Sequence, residues 1–254
     1  MNTTTAPKMN SRMGEARPDI DHDGPLRAAL EPLLDGFADG RLDATLFQQG
    51  LVDALGEIGV AVALGPAILS ARQSAKDVVI WRKDFGGRDV TVSIIHLDPG
   101  EVHPPHHHHN VTSVQMVLEG QIDGREYERV ERIDESTVLL RPVSNGPLPP
   151  GTLLLAHEWS RNVHWFAAGE EGPALIFNCN ARGFERTTFD PSDGRALGRR
   201  LIDPTGDVRD GLIAGREVDV TVAYGKFGGR PLGLWPLPLS LAGPPPPLRA
   251  DLLI

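Results

Sequence analysis

The sequence predicts a mainly β protein, an antiparallel sandwich or barrel preceded by α helices and followed by a loop-rich extension. Apolar residues follow helical spacing until about residue 75 and then recur every second residue, in short runs rich in Val, Ile and Leu. The 28 glycines and 22 prolines favour many turns. We therefore divide the chain into a polar tail expected to be disordered (1–24), a helical segment (25–75), a β barrel (76–185) and an extension expected to pack on the barrel or on a partner subunit (186–254).

Two helices have clear sequence signals, and a third is weaker. Pro25 suits a first helical turn, and Asp43 suits an N-cap. A third helix is expected around Pro66–Gln73. The residues expected on the buried faces of the first two helices are Leu26, Leu30, Leu33, Leu34 and Phe37, and then Leu46, Leu51, Leu55 and Ile58.

Eight short runs, the first DVVIWRKDF and the last PALIFNCN, predict strands. Turn signals separate them, including Asp123-Gly124 and Asn145-Gly146. VDVTVAY (218–224) predicts one more strand. The apolar end of the chain contains Pro244–Pro247, which predict polyproline II. We expect this end to pack on the domain surface or on a neighbouring subunit; the alternative is a peptide ligand for another protein's aromatic groove.

Composition excludes several classes of protein. The formal net charge is −9 and the pI is about 5.4, which argues against nucleic acid or an anionic membrane as the main partner. The single cysteine, Cys179, excludes an intramolecular disulfide framework and a multi-cysteine zinc site, and we expect it to be a buried apolar residue. We see neither a signal-peptide pattern nor an apolar run of about 18 residues, so we expect a cytoplasmic protein.

Four consecutive histidines in PPHHHHNVTSVQMVLEG are the most informative feature for function. On a strand, His106 and His108 point to one side, and His107 and His109 to the other. The first two therefore predict a metal site. We expect the other two to face solvent or to support the site without binding the metal.

A third ligand has to come from another strand. His164, in NVHWFAA, is the best candidate, and His157 is the alternative. Neutral imidazoles suit Fe, Zn, Cu and Ni, and three of them leave positions open for water, substrate or dioxygen. His103, before two prolines, is expected in a loop, where it could hydrogen-bond a ligand or the substrate.

Other polar residues are candidates for the chemistry around the metal. Asn178 and Asn180, if they point inward, could hydrogen-bond substrate or a bound oxygen, the alternative being packing at a strand end. Gln115 is expected to face the pocket beside the metal, and we assign catalytic roles to Asn178 and Gln115 and substrate binding to Asn180. Arg82, in IWRKDF, is a candidate bidentate clamp for a carboxylate, the alternative being a surface arginine. Of Trp165 and Phe166, which flank His164, one is expected to line the pocket, and we assign that position to Phe166.

The chain resembles the cupin superfamily over roughly residues 76–185. The family's first motif, G-x5-H-x-H-x3,4-E-x6-G, matches Gly100, His106, His108 and Gly120. The usual acidic ligand falls at Thr112 or Ser113, and neither is acidic. The second motif matches loosely, since Pro149-Pro150-Gly151 supplies its turn and His164 comes later than the pattern asks. The resemblance implies a jelly-roll (double-stranded β-helix) barrel.

Cupins with three histidines and no acidic ligand are similar to the thiol, gentisate-type and β-diketone-cleaving dioxygenases, which use non-haem Fe(II) and O2. Helices followed by a barrel and a long extension resemble the cysteine dioxygenase-like group. That group often has a cysteine at the position of Ser113, which we expect to contact substrate. Its Ser-x-His-x-Tyr stretch corresponds here to Ile176, Asn178 and Asn180.

The resemblance therefore implies an Fe(II) dioxygenase that acts with O2 on a small chelating substrate. A redox-neutral isomerase, lyase or hydrolase using Zn, Ni or Mn is one alternative, and a non-catalytic small-molecule-binding cupin is another. Because cupins commonly pair through strand or arm exchange, we expect a homodimer.

Overall fold

The computed structural model describes residues 24–185 and 198–228. The predicted N-terminal tail up to residue 23, the polyproline segment and the rest of the C-terminal end lie outside these residues. The helices before the barrel are α1 (Pro25–Ala38), α2 (Ala44–Ile58) and α3 (Val60–Ser74). No single helix in the described ranges is long and apolar enough to span a membrane, although α2 and α3, bent by 90° at their junction, pass together by length and composition.

The first two helices form where the sequence predicts them, with one error on a buried face. Asp43 caps α2, since its side chain accepts from the backbone N–H of Leu46 at 2.8 Å. Leu46 itself is 53% exposed, so its predicted burial is wrong, and Phe47 is fully buried instead. The reason is the phase of the helix: Phe47, Leu51 and Leu55 form the stripe that packs on the sheet.

The third helix is longer than expected and includes Pro66. All three helices pack on one face of the first sheet and bury its Val, Ile and Phe side chains. Cys179 belongs to this core, as expected, and burial raises the pKa of its thiol to about 12. It is therefore an apolar packing residue.

Twelve strands follow within the described ranges. They are β1 (Val78–Asp84), β2 (Asp89–Leu97), β3 (Val102–His109), β4 (Val111–Glu119), β5 (Ile122–Arg132), β6 (Thr137–Leu148), β7 (Leu153–Ala156), β8 (Val163–Ala168), β9 (Ala174–Arg182), β10 (Gly198–Asp203), β11 (Val208–Arg209) and β12 (Leu212–Val218).

The strands form two antiparallel sheets. The first has the order β1-β2-β9-β4-β7 and the second β10-β3-β8-β5-β6-β12-β11. Strands β2 to β9 are therefore distributed as β2-β9-β4-β7 and β3-β8-β5-β6, which is the strand order of a jelly roll. Apolar side chains of both sheets, including Ile176 and Phe166, meet in a common core. The space between these inner faces is called the barrel interior below.

The C-terminal extension closes the second sheet on itself. Strand β10 pairs with both β3 and β12, and β12 pairs with β6, so β3, β8, β5, β6, β12 and β10 form a closed ring. Apolar residues such as Val163, Ile202 and Ile213 fill it. The face of β3 that points away from the barrel interior therefore points into the ring.

The predicted strand VDVTVAY is wrong. Strand β12 ends at Val218, and Asp219 caps a helix, α4 (Val220–Phe227), by accepting from the Val222 N–H at 2.8 Å. Helix α4 buries Phe227 against Trp165, with ring centroids 5.0 Å apart. The N-cap at Asp219 and the burial of Phe227, eight positions further on, against Trp165 outweigh the strand preference of valine and threonine.

The turn signals Asp123-Gly124 and Asn145-Gly146 are also misleading, because β5 and β6 continue through them. Gly124 and Gly146 are directly paired across these strands. A Cβ on Gly124 would lie 2.4 Å from Leu148 Cδ1. The glycine is needed here for close packing inside the barrel.

Candidate metal centre

Three histidines from two neighbouring strands converge in the barrel interior. His106 and His108 lie on the same side of β3, and His164 on β8 is paired directly with His106. Their ring centroids are 4.9–5.4 Å apart. One ring nitrogen from each lies within 4.8 Å of the other two. His106 and His164 are buried, and His108 is partly exposed, so the cluster can be reached from solvent.

The alternative third ligand, His157, does not join this cluster. It follows β7, and its Nδ1 lies 3.8 Å from a carboxylate oxygen of Glu185. His103 belongs to β3, not to a loop, and is separated from His106 by a bulge that contains the two prolines. That expectation was wrong because each proline here keeps an extended backbone at a strand irregularity.

The histidines of the cluster are held in their neutral form. Burial lowers the pKa of His106 and His108 well below the usual range, and the pKa of His164 to about 4. The backbone carbonyl of Pro104 lies 2.8 Å from His106 Nδ1, so Nδ1–H donates to it and Nε2 keeps its lone pair. A carbonyl that fixes the tautomer in this way is typical of histidines that bind metals.

His164 provides the clearest indication that a metal fits. Both of its ring nitrogens are buried and lack a hydrogen-bond partner among the described residues. The backbone of Arg161 raises the pKa of His164, but burial lowers it more. Phe166 stacks on the His164 ring at 5.4 Å with an angle of 15° between the planes. A metal ion would satisfy a nitrogen that otherwise costs desolvation energy.

Amide side chains of the first sheet face the same interior. Gln115 Nε2 donates to Asn178 Oδ1 at 3.0 Å, and Asn178 Nδ2 donates to Ser93 Oγ at 3.4 Å. The register places Asn180 and Ser113 on the same face, two residues further along. The predicted site residues on β4 and β9 therefore share one face of the sheet.

Two of these amides retain unused hydrogen-bonding capacity. The Oε1 of Gln115 and the Oδ1 of Asn180 are buried without a partner among the described residues. Ser113 Oγ instead donates to the Ala156 carbonyl at 3.4 Å. These two amides therefore retain oxygen atoms that can accept a hydrogen bond from a ligand.

Arg82 lies at the exposed edge of the first sheet. Its Nε donates to Thr91 Oγ1 at 3.3 Å, which places it on the same face as Asn180 but on the outermost strand. An arginine that the sequence did not single out lies closer to the histidines. Arg199 Nη2 of β10 is 3.2 Å from His106 Nδ1. It escaped prediction because it falls in the segment expected to be loop-rich.

Glu126 is a second residue that the sequence did not identify. It is paired with His164 across β5 and β8 and is 1% exposed. Its Oε2 accepts from Ser144 Oγ at 2.5 Å and from Arg161 Nη1 at 3.0 Å, whereas Oε1 has no partner among the described residues. Burial raises the pKa of this carboxyl. Strand alternation would have placed it beside the site if Asp123-Gly124 had not indicated a turn.

A second histidine cluster lies on the other side of β3, inside the ring. His107, fully buried, and His109, 4% exposed, come within 4.8 Å of a Glu217 carboxylate oxygen. The expectation that these histidines face solvent is wrong, because β10 and β12 cover them.

Arginines already supply the positive charge in this second cluster. Arg129 Nη1 approaches His107 Nδ1 at 3.4 Å and His109 Nδ1 at 3.2 Å, and Nη2 of the same guanidinium pairs with Glu158. Arg132 pairs with Glu217 at 2.6 Å. The guanidinium of Arg129 contacts the Nδ1 atoms, and His107 Nε2 lies 3.3 Å from the Glu217 carboxylate that Arg132 also holds, so a metal in the ring would share its carboxylate ligand with a guanidinium. The donor set of the barrel interior is three neutral histidines, with no carboxylate to share.

Comparison with known proteins does not identify the chain. No protein-family model matches the sequence, and neither does any curated protein. Solved structures similar to part of the chain include an oxalate oxidase, with 15% identity over 43% of this chain and 44% of that chain and a TM-score of 0.29. A sugar phosphate isomerase of the cupin superfamily from Silicibacter pomeroyi has 20% identity over 38% of this chain and 60% of that chain, with a TM-score of 0.27. The L-ribose isomerase of Cellulomonas parahominis has 17% identity over 44% of this chain and 57% of that chain, with a TM-score of 0.31.

In each case less than two thirds of the neighbour's own chain is covered. With such partial superpositions, the jelly-roll assignment is based on the strand order. The chain is therefore a mainly β, jelly-roll protein with a histidine cluster suited to a divalent metal.

Proposed function

We propose that the chain is a metal-dependent enzyme of the cupin type, a non-haem Fe(II) dioxygenase that acts with O2 on a small chelating organic substrate. The observation that carries the proposal is the cluster of three neutral histidines without a carboxylate among the ligands. Such a set leaves the full charge of a divalent ion uncompensated, which favours an anionic substrate. Bound Fe(II) would bind substrate and O2 and carry electrons between them.

The chain's own residues prepare the site for this chemistry. His106, His108 and His164 would hold the metal, and the Pro104 carbonyl keeps His106 in the tautomer that binds it. Phe166 fixes the plane of the His164 ring and contributes apolar surface. The free oxygen of Gln115, fixed by its bond to Asn178, would accept a hydrogen bond from substrate.

Elemental analysis tests the proposal. The full chain is prepared anaerobically, without an affinity tag or a nickel column, beside His164→Ala and a control, His157→Ala, which removes a histidine outside the cluster. We expect about one iron per chain in the wild type and the control, and loss of iron in His164→Ala. Oxygen uptake with thiols, β-diketones and hydroxylated aromatics follows. Equal iron in all three proteins would contradict the proposal.

The redox-neutral alternative has one observation in its favour, the buried carboxyl of Glu126 beside His164. Burial raises the pKa of this carboxyl, which makes it a better proton carrier than an exposed glutamate, as isomerases and lyases require. Zinc, nickel or manganese in the purified protein, with turnover that needs no O2 and is lost in Glu126→Gln, would favour this function. Ligand binding without turnover would favour a binding protein.

A cytoplasmic homodimer, expected from the sequence, is part of the proposal. Light scattering during size-exclusion chromatography tests the dimer, and the mass of a monomer would contradict it.

A further inference from the structure

The C-terminal extension places an arginine beside the histidine cluster. Strand β10 runs antiparallel to β3, with Arg199 opposite His108 and on the same face. Its Nη2 comes within 3.2 Å of His106 Nδ1. Burial is the largest cause that lowers the pKa values of His103, His106, His108 and His164, and the positive charge of Arg199 lowers them further.

The imidazole of His106 does not use the donors of Arg199. His106 Nδ1 carries the proton that it donates to Pro104 at 2.8 Å, so it has no lone pair to accept from Arg199. Tyr224, on α4, interacts with the same side chain and raises the pKa of Arg199, against the larger lowering by burial. Arg199 is exposed as a residue, while burial lowers the pKa of its guanidinium, so the side chain reaches from the surface towards the histidine cluster.

Arg199 also differs from the other arginines around β3. Inside the ring, Arg129 and Arg132 are each paired with a glutamate. Among the described residues, no carboxylate forms an ion pair with Arg199. A guanidinium with free donors beside three neutral histidines is complementary to an anion that enters from solvent.

We propose that Arg199 is the anion anchor of the metal centre, and that it binds the carboxylate of a small organic acid whose second donor group reaches the metal. The inference rests on the proposed function and specifies its substrate class: short carboxylic acids with a neighbouring hydroxyl, thiol or keto group. The planar guanidinium donates two parallel N–H bonds to a carboxylate, so it selects these acids over neutral chelators. Arg199 thus replaces the sequence-based candidate Arg82, which lies at the sheet edge.

Binding to cobalt-loaded protein tests the anchor without requiring turnover. Wild type, Arg199→Met and Arg199→Lys are loaded with Co²⁺, and the metal content of each is measured. Calorimetry then gives affinities for lactate and for lactamide, its neutral analogue. The matched control is Arg200→Met, because Arg200 is adjacent on β10 but is paired with His107 and faces the ring.

We expect Arg199→Met to bind lactate about tenfold more weakly or worse, since a charge-assisted bidentate interaction is lost. Arg199→Lys should be intermediate, and Arg200→Met should match the wild type. Lactamide affinity should be the same in all four proteins.

Stoichiometric cobalt with equal lactate affinity in the wild type and Arg199→Met overturns the inference and leaves the proposed function standing. An equal loss for lactate and lactamide also overturns it, because the effect would not depend on charge. A wild type that takes up no cobalt overturns the proposed function together with the anchor.

Discussion

Acidification should destabilise the metal-free protein well above the pH at which its carboxylates titrate. Burial lowers the pKa of His107 and His164 to about 4 and that of His103 to about 3. In the unfolded chain these imidazoles titrate near 6.5. As pH falls through that value, the unfolded state binds protons that the folded state does not bind, so the free energy of unfolding decreases.

The magnitude follows from the two pKa values. Between about pH 7 and pH 5, a histidine that stays neutral when folded and titrates near 6.5 when unfolded costs about 2 kcal/mol. The three histidines together would cost up to about 6 kcal/mol, which is comparable with the whole stability of many domains.

Carboxylates add little in this window. Burial raises the pKa of Glu217, but hydrogen bonds from His107 and Arg132 outweigh it and lower the pKa to about 2. Its stabilisation is complete above the unfolded value of 4.5 and is lost only below it.

Urea denaturation of metal-free protein at about pH 7, 6 and 5, followed by circular dichroism, measures the effect. His107→Gln should reduce the loss between pH 7 and 5 by about 2 kcal/mol, since it removes one buried imidazole. His157→Gln, at a partly exposed histidine outside both clusters, provides the control. Equal stability at the two ends of the range, or an unchanged loss in His107→Gln, would refute the reasoning.

Three further substitutions test packing around the site by thermal or urea unfolding. Gln48→Leu should cost about 2–4 kcal/mol, because the Gln48 amide donates to two buried carbonyls, on β4 and β7, at 2.9 and 3.0 Å. Phe227→Ala should cost about 3–5 kcal/mol by leaving a cavity against Trp165, and an exposed or loosened α4 should appear as faster amide exchange. Gly124→Ala should cost about 1–3 kcal/mol, since its Cβ would overlap Leu148, and an unchanged melting temperature would argue against that packing.

Local patterns in the sequence determined much of this protein. The helix signals at Pro25 and Asp43 act within one or two turns, and strand alternation acts between neighbouring residues. Alternation alone therefore separates His106 and His108 from His107 and His109. The turn and strand that contain His106 and His108, together with the later His164, are sufficient to predict a metal site.

The tertiary structure decided what depends on distant pairing. Glycine is needed both for a tight turn and for close packing, so Asp123-Gly124 could not be recognised as part of a strand before its partner strands were known. Because of that error, Glu126 was not predicted to lie beside the histidine cluster. Likewise, only the pairing of β10 with β3 and β12 buries His107 and brings Arg199 to the histidine cluster. The sequence separates these residues by about ninety positions, and strand periodicity carries no information on which strands pair across such a distance.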